Sequence, residues 1–68
     1  MKLTVGELYS ICSSFYVRVT RNNETLYSNV GKSAAGVFSD VSDLFVEGFV
    51  IFKDFDTDKA YMLIRVEP

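Results

Sequence analysis

The chain has no histidine and only one cysteine, Cys12. A single thiol cannot close an internal disulfide, so the stapling of small secreted scaffolds is excluded, and a reducing cytosol is the better fit. Without histidine, the side chain that most often ligates metals or serves as general base near neutral pH is missing. Acid–base chemistry would fall to carboxylates, lysines or tyrosines with strongly shifted pKa values. A chain of 68 residues holds little interior in which to shift them. No apolar stretch approaches the roughly 18 residues of a membrane helix. The opening Met1-Lys2-Leu3-Thr4 lacks the basic and long apolar segments of a secretory leader, so the mature protein is expected to be the whole chain. Together these absences predict a cytoplasmic protein that is not an enzyme and takes no metal and no cofactor.

What is present is globular. Hydrophobic residues make up 49% of the chain and aromatics 15%, well above a disordered composition. At this length a core supplies only roughly 3–5 kcal/mol of net stability. With disulfide and metal set aside, self-association is the expected reinforcement. The net charge of −2 is unevenly placed. Residues 1–39 carry four bases against two acids, and residues 40–68 carry three bases against seven acids. Such asymmetry bears on partners rather than on fold.

Local patterns predict two helices and two hairpins. Thr4 and Glu7 form the capping box Thr-x-x-Glu, and Leu3 with Leu8 supplies the matching hydrophobic staple. Val5, Leu8, Tyr9 and Cys12 recur at helical spacing up to Ser13-Ser14. Gly6 costs about 1 kcal/mol against alanine there, so packing must hold the helix. Phe15, Val17 and Val19 then alternate with Tyr16, Arg18 and Thr20, the period of a half-buried strand. Asn22-Asn23 suits the two positive-φ positions of a tight turn. A regular ladder from that turn pairs Arg21 with Glu24, Val19 with Leu26, Val17 with Ser28 and Phe15 with Val30. It puts Tyr16, Arg18, Thr20 and Tyr27 on the outer face.

Residues 31–39 read as a flexible connection. Asp40 and Asp43 read as the cap and first turn of a second short helix, with Val41, Leu44 and Phe45 on one side and Gly48 as its stop. The final hairpin joins Phe49–Phe55 to Ala60–Glu67 around Asp56-Thr57-Asp58. Val50 and Phe52 fall on one face, Phe49, Ile51 and Phe55 on the other, so this hairpin wants cover on both sides. The expected fold is one small α+β domain over residues 1–68: a four-stranded, mostly antiparallel sheet of two hairpins with two short helices, in the order αββαββ. Two short helices cover one sheet face; the bare face argues for a homodimer or an obligate protein partner.

Three chemical motifs fail on their own terms. Gly31-Lys32-Ser33 echoes the end of a phosphate-binding loop, but Leu26 stands where its first glycine belongs. Asp54-x-Asp56-x-Asp58 opens like a calcium loop, yet Lys59 and Arg65 occupy the positions that need glycine and glutamate. Asn23-Glu24-Thr25 matches a glycosylation acceptor but reads as a turn. Cys12 reads as a small core residue. Two candidate binding surfaces remain. Tyr16, Arg18 and Tyr27 interleave rings with a base, as a platform for single-stranded nucleic acid does. Asp40, Asp43, Glu47, Asp54, Asp56 and Asp58 form an acidic series able to imitate a phosphate backbone.

Thr4-Val5-Gly6-Glu7-Leu8, the Phe15–Val30 hairpin around Asn22-Asn23, the acidic Asp40–Phe45 and the closing Phe49–Val66 pair span nearly the whole chain. In this order of elements it resembles small uncharacterised proteins of Firmicutes genomes and their phages. It departs from them at Gly6 and in the longer linker around Ala34-Ala35-Gly36. From Phe15 onward it is also remotely similar to the small dimeric phage inhibitors of uracil-DNA glycosylase. Neither resemblance carries a functional residue across. What they imply is a mobile-element accessory protein that acts by binding, with inhibition of a host or defence protein as one form of that role.

Overall fold

The structure, a computed structural model, describes residues 2–12, 14–30, 34–55 and 58–68. It is a small α+β fold with a four-stranded mixed sheet and two short helices. In chain order the elements are α1 (Val5–Ile11), β1 (Tyr16–Arg21), β2 (Glu24–Ser28), α2 (Phe38–Val41), β3 (Val46–Asp54) and β4 (Lys59–Val66). The sheet runs β2-β1-β4-β3. Both hairpins are antiparallel, and β1 and β4 join them as a parallel central pair. The hairpins lie roughly where the sequence places them. The parallel seam and several element bounds do not follow from it.

Helix α1 starts as its sequence dictates. Glu7 N–H donates to Thr4 Oγ1 at 3.2 Å, and Thr4 N–H donates to Glu7 Oε1 at 3.0 Å. The next free amides of the first turn are satisfied from elsewhere in the chain: Val5 N–H reaches Leu44 O and Gly6 N–H reaches Ser42 O, each at 2.9 Å. That approach accounts for Gly6, because a Cβ there would lie 3.2 Å from Ser42 O. Glycine costs helix propensity at this position and permits the backbone contact that ties α1 to the segment after α2.

Val5 and Leu8 of α1, Val17 and Val19 of β1, Val41 of α2, and Met62, Ile64 and Val66 of β4 form the buried core. The helices therefore cover the two central strands. Tyr9, Tyr27 and Phe38 seal one side, with Phe38 set 5.0 Å from Tyr9 and 5.4 Å from Tyr27 between ring centroids.

The first hairpin corrects its expected register. Asn22 (φ 51°) and Asn23 (φ 68°) make the turn, and Arg21 faces Glu24 and Thr20 faces Thr25. A bulge at Leu26 then shifts the ladder, so Val19 faces Tyr27 and Arg18 faces Ser28. The expected pairs of Val19 with Leu26, Val17 with Ser28 and Phe15 with Val30 are superseded. Val17 N–H instead donates to Asn29 Oδ1 at 2.7 Å. Beyond β2, Ala35 pairs with Ser28 through two backbone bonds of 2.8 Å. Gly36 follows at φ 77°, where a Cβ would collide with the Leu26 carbonyl oxygen. This part of the connection is pinned, not loose. Gly31, Lys32 and Ser33 lie outside the described residues.

The second helix lies earlier than expected. It spans Phe38–Val41 with Val37 as an N-cap that makes no side-chain bond, so Asp40 sits in its first turn and Asp43 after its end. Phe45 is no helical residue: it bridges to Thr4, and Val46 N–H donates to Leu3 O at 2.7 Å. Strand β3 therefore begins at Val46, and Gly48 is a strand residue facing Arg65 rather than a helix stop.

Two outcomes are expected in urea unfolding. Met62→Ala, at a fully buried position, should cost about 2–5 kcal/mol and leave little folded protein at 25 °C. Thr4→Ala should cost about 1 kcal/mol at neutral pH. The backbone bond from Thr4, then the bond from its side chain, hold the Glu7 carboxyl below its ordinary 4.5. A lowered folded pKa gives a contribution that is full at neutral pH and lost as pH falls through the lowered value. The gap between wild type and Thr4→Ala should therefore narrow in acid; a gap constant with pH would contradict this account.

Candidate functional site

Strand β3 is an edge strand, and the helices do not reach over it. Its pairing with β4 puts Phe49 and Ile51 on the helix-bearing face, opposite Ile64 and Met62, and Val50 and Phe52 on the outer face, opposite Leu63 and Tyr61. All four are between 45% and 51% exposed. The strand is thus apolar and open on both faces. Leu3 takes the Val46 amide at its start, and from Gly48 onward no described strand pairs with its outer edge, where unpaired backbone groups are a template for a further strand. Its charged residues sit toward the ends. Glu47 is the extra residue of a bulge between Val46 and Gly48. Lys53 meets Asp58 at 2.8 Å, with both side chains more than half exposed.

The outer face of the sheet bears no helix. The registers of β1 with β4 and of β4 with β3 set its side chains in ranks: Tyr16, Tyr61, Phe52; then Arg18, Leu63, Val50; then Thr20, Arg65, Gly48. Phe52 and Tyr61 lie 5.8 Å apart between centroids, and Arg18 Cζ lies 5.6 Å from the Tyr61 ring centre. Lys59 Nζ lies 5.4 Å from the Tyr16 ring centre and donates to the Tyr16 hydroxyl at 3.2 Å. An open cleft of about 540 Å³ adjoins this rank, lined by Tyr9, Phe15, Asn29 and Lys59 among others. Rings in a row with cations between them suit a planar or anionic ligand, held by stacking and cation–π attraction.

The sequence-derived candidates divide accordingly. Tyr16 and Arg18 share the outer face as expected. Tyr27 does not: the bulge at Leu26 sets it opposite Val19, and it packs against Phe38 and the core. Tyr61, Phe52 and Lys59 take its place, brought in by the parallel β1·β4 seam. Alternation within β4 already separates Tyr61 and Leu63 from the core residues, but no local signal puts them beside β1.

Among the described residues the acidic series is not gathered into one surface. Asp40 and Asp43 flank the end of α2 and are exposed. Glu47 and Asp58 lie near opposite ends of the second hairpin; the Glu47–Asp54 stretch of β3 alone spans about 23 Å at the usual rise per residue. Asp56 lies outside the described residues, as does the side chain of Asp54. Cys12 is half-buried against the core. Among the described residues no group of three or more His, Cys, Asp or Glu is placed to hold a metal ion, and no helix is long and apolar enough to cross a membrane.

No protein-family model, curated protein or solved structure matches this chain.

The exposure of β3 gives a direct expectation. At concentrations dilute enough for the chain to be monomeric, Ile51→Lys should leave the urea midpoint nearly unchanged, since half of that side chain already meets water, and should reduce binding of the dye ANS. A large loss of stability would mean that the β3 side chains are held in the core.

Proposed function

We propose that this chain is a non-catalytic accessory protein, of the phage or prophage kind whose element order it resembles, and that it acts by binding another protein through β3. One observation supports the reading above all. Phe49, Val50, Ile51 and Phe52 are four consecutive large apolar side chains, each about half exposed, on an edge strand. Scattered apolar residues on a surface are ordinary, but a run exposed on both faces of one edge strand, beside free backbone groups, marks a docking surface. Inhibition of a host or defence protein is the specific form this takes if the partner's own site is the surface covered. The absence of histidine and the dispersed carboxylates favour binding over catalysis as the role.

A second reading has an observation of its own. Tyr16, Tyr61 and Phe52 form a ring row with Arg18 and Lys59 against it, a stacking platform for single-stranded nucleic acid. Arg18 Nε is enclosed and has no hydrogen-bond partner within the protein. Against this reading stands the small number of bases, which limits phosphate contacts.

Affinity capture from bacterial lysate separates the two. Wild type should retain a protein that Ile51→Lys loses and that the Tyr16→Ala/Arg18→Ala double variant keeps. Capture indifferent to Ile51→Lys would overturn the leading reading. For the second, fluorescence anisotropy with labelled oligothymidine should show binding that weakens with salt and falls in the Tyr16→Ala/Arg18→Ala variant; equal binding by that variant would end it.

A further inference from the structure

We infer that the occupant of β3 is a second copy of this chain, paired antiparallel to it about a two-fold axis at Val50. This deepens the reading of β3 as a protein-contact surface and rests on it: the second copy holds the edge in the free protein, and a foreign partner exchanges for it. The sheet has two edges, and they differ. β2 is five residues long, and its Ser28 end is already closed by Ala35. β3 is nine residues long and carries the exposed apolar row. Edge strands in monomers are blunted by charge, bulges or shortness. In β3 the bulge at Glu47 and the charge of Lys53 stand at either end of the row, and Gly48–Phe52 between them is a regular, unguarded strand.

The sequence of β3 selects its own copy. In an antiparallel pair with matching faces, the two-fold axis must set one residue opposite itself, because neighbours alternate between faces. Centred on Phe49, the register sets Glu47 against Ile51 and Lys53 against Phe45. Centred on Ile51, it sets Glu47 against Phe55 and Lys53 against Phe49. Centred on Val50, it sets Glu47 against Lys53 twice, Phe49 against Ile51 twice, and Val50 against itself. Of the three, only this register joins acid to base and apolar to apolar over Glu47–Lys53; beyond that stretch it sets Val46 against Asp54. Parallel pairing would oppose Glu47 to Glu47 and Lys53 to Lys53. The Val50 register also sets the Phe52 ring opposite Gly48, the cross-strand arrangement in which an aromatic covers a glycine. The Arg65 guanidinium lies over that side of Gly48, 3.0 Å from where a Cβ would stand, and swings aside on its flexible side chain to admit the ring. Lys53 gives up an exposed contact to Asp58, which is a weak one.

Pairing of this kind closes on itself, whereas β3 of one copy on β2 of the next would propagate without end. The product is one eight-stranded sheet with the helices of both copies on the same side. The ring rows of the two outer faces then flank a common seam.

Sedimentation equilibrium tests the inference, with circular dichroism to confirm that each variant is folded. Wild type should show a species of twice the 7.7 kDa chain mass. Val50→Lys, which sets two lysines face to face at the axis, should be monomeric. Glu47→Lys and Lys53→Glu should each weaken dimerisation about tenfold, from lost attraction and added repulsion in two symmetric pairs. The double swap Glu47→Lys/Lys53→Glu should restore wild-type affinity, a rescue that a folding defect cannot mimic. Wild type monomeric at every concentration, a dimer untouched by Val50→Lys, or a double swap without rescue would each overturn the inference. If wild type is monomeric yet Ile51→Lys still abolishes capture of a foreign protein, self-pairing fails and the protein-contact reading stands. If the dimer behaves as described but capture ignores Ile51→Lys, the reverse holds.

Discussion

The parallel pairing of β1 with β4 is the contact on which the rest of the structure depends. Val17, Val19, Met62 and Ile64 are all fully buried along it, and the two hairpins have no other route into one sheet. A lone two-stranded hairpin is marginal in water. Joined side by side, the hairpins present a continuous floor of β-branched and methionine side chains onto which Val5 and Leu8 of α1 can pack. The same seam orders the outer face, because it aligns Tyr16 with Tyr61 and Arg18 with Leu63. Core and candidate surface are two sides of one pairing.

That seam also explains why β3 is left open. Two helices of seven and four residues have enough apolar surface to cover β1 and β4 and to touch β2. Phe49 and Ile51 face the helical side and still meet solvent, because nothing reaches them. In a chain this small the helices run out before the sheet does. The exposed row on β3 is therefore a consequence of economy in the helical layer, and it leaves the fold with unburied apolar surface on both sides of an edge strand.

What the sequence makes legible is local. The capping box of Thr4 and Glu7, the Asn22-Asn23 turn and the two-faced apolar pattern of Phe49–Phe52 each rest on residues a few positions apart, and each is found; Phe55, expected in the same strand, lies in the turn beyond its Asp54 end. The misreadings arise where distant groups decide. Tyr27 turns inward because a bulge at Leu26 lets it meet Phe38, eleven residues on, and no alternation rule announces a bulge. Helix α2 begins at Phe38 on a Val37 cap without a side-chain bond, so Asp40 looks like the cap when it is not. Gly48 looks like a helix stop because the bonds that start β3, from Val46 to Leu3 and from Glu67 to Phe45, come from opposite ends of the chain. Half of the outer-face site was readable for the same reason: Tyr16 and Arg18 share a strand, whereas Tyr61 and Phe52 reach them only across the seam.

The distance in sequence between β1 and β4 has a consequence for the order of folding. Tyr16 meets Tyr61 and Thr20 meets Arg65, so the central ladder closes a loop of more than forty residues, and its entropy must be met before any core contact returns it. The first hairpin can form while synthesis continues, but Val17 and Val19 have no floor to complete until Lys59–Val66 has left the ribosome. Folding of this chain is then a late, concerted closure rather than a stepwise one. Until that closure the Phe49–Phe52 segment lacks β4 beside it, and its apolar side chains are open to any neighbouring strand.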